Sequence, residues 1–167
     1  YYDALGKYNL ALATIDSATL AYHNAEDLDL LTILDLKYII YIHHEKYEDA
    51  NKLIMDLLAK RKSAQQEHSS EYALSLMNIG FLYIEMKRGN EAIQQLESAL
   101  EKCKQIYGLN HPYTASAFTS LADANTLIKN YSKANDIYDQ ASKILLKYYG
   151  KDHFEYFINQ LRNWVEG

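Results

Sequence analysis

One proline, one cysteine, one tryptophan and six glycines are all that the 167 residues contain of these four types. So little proline and glycine leaves few of the tight turns that a many-stranded β fold needs, and favours long helices. The single cysteine, Cys103, excludes an internal disulfide and any site built from several thiolates. It fits a reducing compartment, so a cytoplasmic, intracellular location is expected. No apolar run approaches the ~20 residues of a membrane-spanning helix. No signal peptide is visible, but the chain opens Tyr1-Tyr2-Asp3 without methionine and is read as a piece of a longer chain. A concentrated basic face is also missing. The 17 basic and 22 acidic residues are spread along the chain, for a net charge of −5, which argues against a nucleic-acid partner. The one basic triplet, Lys60-Arg61-Lys62, falls where a helix should end and is read as complementing the helix dipole.

What the chain has instead is a repeat. Ile106-Tyr107-Gly108-Leu109-Asn110-His111-Pro112 returns as Tyr148-Tyr149-Gly150-Lys151-Asp152-His153-Phe154, with the glycines 150 − 108 = 42 residues apart. Ala50, Ala92 and Ala134 follow three similar turn sequences at the same step, and Lys7-Tyr8-Asn9-Leu10-Ala11 is a shorter-spaced fourth copy. A fixed period of this size marks stacked helical hairpins. Apolar residues recur at helical spacing within each copy: Ala73, Leu76, Ile79, Gly80 and Tyr83, then Ala92, Leu96, Ala99 and Leu100. The small members, Gly80 or Ala122 and Ala92 or Ala134, let the two helices of a hairpin approach closely. The 16 tyrosines are read as core filler in place of phenylalanine and leucine.

Punctuation agrees. Gly108 and Gly150 suit a left-handed residue just past a helix end; Asn110 and Asp152 suit N-caps; Pro112 suits a first turn; and Asp152 with Glu155 resembles a capping box. Eight helices are expected, over about 2–22, 27–44, 47–66, 70–87, 90–107, 111–128, 131–149 and 153–165.

The small and large slots, the tyrosine or glycine at each turn and the Gly-x-Asn/Asp-His-Pro linker resemble tetratricopeptide repeats, and the 42-residue period is similar to the kinesin-light-chain variety. The resemblance implies an all-α, right-handed superhelical solenoid of antiparallel hairpins. It divides the chain into a half-repeat at 1–25, repeats at 26–68, 69–110 and 111–152, and a capping helix at 153–167. Lys37 and Tyr38 depart from the pattern by standing where a leucine and a small residue are expected, which leaves the register of that hairpin open by one residue. In this family the first helix of each hairpin lines the concave surface. That implies a groove lined by Leu74, Met77, Phe81 and Ile84, by Ser116, Thr119, Asp123 and Thr126, and by Thr32, Asp35, Ile39 and Ile42. The lysines and asparagines with which chaperone-tail binders of the family grip a terminal carboxylate are absent from Met77, Phe81, Thr119 and Asp123. An acidic groove argues against the acidic cargo of kinesin light chains. A helix or extended peptide offering apolar side chains suits Phe81 and Ile84, at the apolar centre of that groove, better.

No catalytic constellation accompanies the repeat. His43 and His44 are adjacent, so they point about 100° apart on a helix and cannot clamp a metal together. His111 and His153 fill equivalent linker slots, which suggests a repeated structural hydrogen bond. There is no phosphate-cradling glycine loop and no G-x-S-x-G. Cys103 lies between Lys102 and Lys104 with no histidine nearby in sequence and is read as inert. No cofactor and no metal are expected. The function expected is a non-enzymatic scaffold that holds a partner peptide, helix or subunit through the groove or the solenoid end. The alternative is the helical-repeat portion of a larger enzyme or regulator, such as a SET/MYND methyltransferase or a peptide-sensing regulator.

Overall fold

The computed structural model describes residues 8–21 and 28–151. They form seven helices and, among the described residues, no strand: α1 (Tyr8–Ala21), α2 (Leu28–His43), α3 (Tyr47–Ser63), α4 (Ser70–Glu85), α5 (Gly89–Tyr107), α6 (Pro112–Leu127) and α7 (Tyr131–Tyr149). The eighth expected helix, with its capping box and His153, lies outside the described residues.

The period governs the helix bounds. The first helices α2, α4 and α6 start at 28, 70 and 112 and end at 43, 85 and 127. The second helices α3, α5 and α7 start at 47, 89 and 131. Every step is 42 residues, so the α2–α3 hairpin keeps the register of the others despite Lys37 and Tyr38.

Each hairpin turn is built the same way. Glu45, Lys87 and Lys129 take positive φ values of 56°, 60° and 63°. The following N–H reaches back over the helix end in every copy: Lys46 to Tyr41 at 2.8 Å, Arg88 to Tyr83 at 2.8 Å and Asn130 to Asn125 at 2.9 Å. This is the left-handed helix stop that glycine usually supplies, made here with non-glycine residues. The linkers after α5 and α7 use another device. Gly108 and Gly150 have φ 83° with ψ 165° and 166°, an extended conformation essentially reserved for glycine rather than the helical left-handed one expected. An added Cβ there would meet nothing within 4 Å, so glycine is required by the backbone and not by space.

The core follows the small slots. Gly80 lets α4 lie against α5 so closely that a Cβ would stand 2.3 Å from Leu96 Cγ. Gly89, opening α5, leaves room for Ile128 past the end of α6. Buried Ala73, Ala92, Ala115 and Ala122 join Leu96, Phe118 and Leu121 in one cluster, and Leu31, Leu34, Ile54, Leu57 and Leu82 form another. Tyr38 occupies the slot of Gly80 and Ala122 with a buried ring, and its hydroxyl donates to the Asn78 carbonyl of α4 at 2.7 Å. Lys37, in the leucine slot, turns instead to Asp16 of α1 at 2.6 Å. Among the described tyrosines only Tyr38 and Tyr72 are buried. Tyr41, Tyr47, Tyr83, Tyr107 and Tyr138 cover core edges half-buried, while Tyr113, Tyr131, Tyr148 and Tyr149 are exposed, so core filler is too narrow a reading.

One pair of successive first helices also meets. α4 and α6 touch directly, while α5 and α7 make no comparable approach. Small, fully buried Ala117 and Ala124 on α6 permit this. At this step the stack closes on its first-helix side, the side that the family resemblance makes concave.

Candidate functional site

The face expected to be concave is the side of α2, α4 and α6 that the core leaves uncovered. On α4 the core takes Tyr72, Ala73, Leu76, Ile79 and Gly80. Leu74 and Phe81 are left on the opposite side, 38% and 44% exposed. Forty-two residues earlier Ile39 is 46% exposed, in the slot of Phe81. Ile42, Met77 and Ile84 are only half-exposed, because part of each packs on the core clusters; the Met77 sulfur accepts from the Cys103 thiol at 3.9 Å. On α6 the same face is polar. Thr119 is half-buried and its hydroxyl donates to its own helix at Ala115 (3.1 Å). Asp123 and Thr126 are exposed, and Asp123 accepts a hydrogen bond from the Tyr138 hydroxyl of α7. Burial of the ring, and after it that contact, raise the Tyr138 pKa. Each residue expected on the groove thus lies on a first helix with at least part of its side chain outside the core.

Asp35 is the member whose role sequence reasoning missed. Its carboxylate accepts from the Arg61 guanidinium at 3.2 Å and 2.5 Å, and Arg61 also donates to Ser75 Oγ of α4. Arg61 is 1% exposed, the largest fully buried side chain in the described chain. It does lie in the last turn of α3, as expected of the triplet. It does not serve the helix end, however. It crosses to α2 and α4 and ties three helices together, and burial of the charge is tolerated because the carboxylate and hydroxyl face it. The available signal was Asp35 and Ser75 standing on the two flanking first helices, which only a three-dimensional register could have connected to Arg61.

The linker between α5 and α6 carries the histidine expected to be structural. His111, not Asn110, is the N-cap of α6: its Nδ1 accepts the Tyr113 N–H at 3.1 Å. The ring stacks on Tyr107 with centroids 4.8 Å apart, and the Thr114 hydroxyl donates to the Gly108 carbonyl at 2.7 Å. His43 lies exposed, and His44 sits against the Tyr8 ring of α1 at 4.2 Å.

Cys103 is buried at 1% exposure, and burial pushes its thiol up to about 11. The flanking lysines face away from it, Lys102 over the Tyr72 ring and Lys104 over the Phe118 ring. At neutral pH it stays a thiol, the opposite of an activated nucleophile. An open cleft of about 430 Å³ at the α2–α3 turn is lined by Glu45, Lys46, Tyr47, Glu48, Asp49 and Met86. Its walls are a helix end and surface charges rather than convergent reactive groups.

A family model described as tetratricopeptide repeat matches residues 71–155. The chain is 28% identical over 124 residues to RxLR effector protein SFI4 of Phytophthora infestans (strain T30-4), which covers 74% of this chain and 35% of that protein. It is 33% identical over 91 residues to secreted RxLR effector protein RXLR-C07 of Plasmopara halstedii, covering 54% of this chain and 28% of that one. The chain therefore spans about a third of the curated relatives it matches. Among solved structures it is similar to BtubC (BKLC) from P. vanneervenii, with TM-score 0.79, 22% identity, and coverage of 90% of this chain and 61% of that one. A putative kinesin light chain of Podosopora anserina with nearly identical TPR-like repeats gives TM-score 0.53 and 14% identity, over 87% of this chain and 90% of that one. At these identities the solved structures speak to fold alone. Among the described residues no helix is long and apolar enough to cross a membrane.

Proposed function

Because the chain belongs to the tetratricopeptide repeat family, we propose that it is a non-catalytic scaffold that holds another protein through the concave face of its first helices. The observation that carries this reading is the exposure of Leu74, Phe81 and Ile39 on that face, two of them in one repeated slot. Large apolar side chains left uncovered in adjacent repeats are a surface for something to cover. The polar neighbours Thr119, Asp123 and Thr126, with the edges of Ile42, Met77 and Ile84, complete the site.

In this reading the segment is the partner-holding part of a longer protein, as its one-third share of the effector relatives suggests. We propose that it works inside a cell, on the strength of the reduced, buried Cys103. The word secreted in the name of the Plasmopara halstedii relative makes a secretory route the competing possibility, and fractionation of cells producing the tagged full-length protein separates the two.

The test is capture of partners by the full-length protein and by its Leu74→Glu/Phe81→Glu variant. Both positions are exposed, so the variant should fold, which circular dichroism checks. Partners lost from the folded variant support the groove. An unchanged partner set rejects it in favour of the solenoid end.

A further inference from the structure

From α2 to α7 the basic charges are sorted by helix, whereas α1, which aligns with the second helices, has none. The first helices α4 and α6 contain no lysine or arginine at all, and α2 contains only Lys37, which is paired with Asp16 of α1. The second helices α3, α5 and α7 carry two to four basic residues each. Acids are not excluded in the same way. Glu71 and Glu85 stand on α4 at helical spacing from Leu74 and Phe81 (71, 74, 78, 81, 85), so they share the face of the exposed apolar pair. Asp123 stands on α6 in the slot that Phe81 fills on α4 and is exposed. Glu71 is held below the ordinary carboxylate range, first by a hydrogen bond to its own backbone, so it carries its charge at neutral pH.

An apolar strip bordered by acids, on helices stripped of bases, has a definite complement. Resting on the groove reading above, we propose that the occupant is a basic amphipathic helix of another protein. Its apolar side chains at i, i+3 or i+4 and i+7 would lie over Ile39, Leu74 and Phe81. Its lysines or arginines would flank that seam and face Glu71, Glu85 and Asp123. The acids steer and orient such a segment, the apolar contacts hold it, and an acidic segment is turned away by like charge in a groove with no base to receive it.

The probe is a synthetic helical peptide of leucine and lysine, about 18 residues or five turns long, with the leucines on one face. Its controls are the same peptide with glutamate for lysine, and a scrambled leucine–lysine peptide of equal charge. Binding of each to the 167-residue chain is read by fluorescence anisotropy. The patterned lysine peptide is expected to bind about tenfold tighter than either control. Phe81→Ser and Asp123→Lys are each expected to weaken it about tenfold, the order expected for losing one central contact. Ile39→Ser serves as second apolar variant should Phe81→Ser not fold.

Equal binding of the lysine and glutamate peptides, both lost with Phe81→Ser, overturns the basic partner and leaves the groove standing. Binding of the scrambled peptide equal to the patterned one, insensitive to both variants and abolished by about 0.5 M salt, is attraction to the net charge of −5 and overturns the proposal too. Failure of all three peptides overturns it as well, while the capture experiment above decides the groove separately.

Discussion

Gly80 is where the fold can be tested with one methyl group. A Cβ at residue 80 would lie 2.3 Å from Leu96 Cγ and 2.5 Å from Leu96 Cδ2. Carbon atoms prefer about 3.5–4.0 Å, so Gly80→Ala forces α4 and α5 apart or displaces a fully buried leucine by more than an ångström. Overpacking of this kind costs about 1–3 kcal/mol. Alanine for glycine inside a helix returns about 1 kcal/mol. The net expectation is a loss of about 1 kcal/mol, or about 2–4 °C in Tm for a chain of this size. In a Leu96→Ala background the obstacle is gone and the helix gain remains. Gly80→Ala should then stabilise by about 1 kcal/mol, a coupling of about 2 kcal/mol between the two sites. Urea unfolding of the four proteins followed by far-ultraviolet circular dichroism gives the cycle. Gly108→Ala is the control: no atom lies within 4 Å, so its backbone strain should be the same in both backgrounds. If Gly80→Ala has the same sign and size with and without Leu96, the close approach of α4 and α5 is refuted.

Lys87 holds a left-handed conformation that costs an L-residue about 1 kcal/mol; Lys87→Gly should raise stability by up to that amount in urea titration, and Glu45→Gly and Lys129→Gly should behave alike. Asp35→Asn leaves the buried Arg61 guanidinium without its counter-charge and should cost about 3–5 kcal/mol, whereas the apolar pair Asp35→Leu/Arg61→Met should be far milder by the same titration. Glu71 has a folded pKa below its ordinary 4.5, so its contribution is present above that value and is lost as pH falls through the folded one. The Tm difference between the parent chain and Glu71→Gln should accordingly shrink on acidification from about pH 6 toward about pH 3.

The helices were legible because the sequence writes them three times. Helix starts at 28, 70 and 112 follow from one set of small and large slots repeated every 42 residues, and local spacing suffices to see it. The linker after α3 was not legible in the same way. It has no glycine; Gln65 supplies the positive φ at 57°, α3 ends at Ser63 against the expected 66, and Ser69 caps α4 by accepting the Tyr72 N–H. Arg61 was misread for a physical reason. A basic residue in a last helical turn suits the dipole, and its actual partners are 26 and 14 residues away on other helices. The residues expected on the groove lie on α2, α4 and α6. Yet only the structure divides the exposed Leu74, Phe81 and Ile39 from Met77, whose sulfur is spent on Cys103, and from Asp35, whose charge is spent on Arg61.

The most direct test of the scaffold reading places a photo-crosslinking amino acid at single positions of the full-length protein: residue 81 or 39 on the first helices, and residue 55 on α3, where Met55 is comparably exposed on a second helix. The account predicts partner adducts from residues 81 and 39 and none from residue 55. Adducts from residue 55 alone would contradict it, because the partner would then sit on the outer helices and the concave face would be bare.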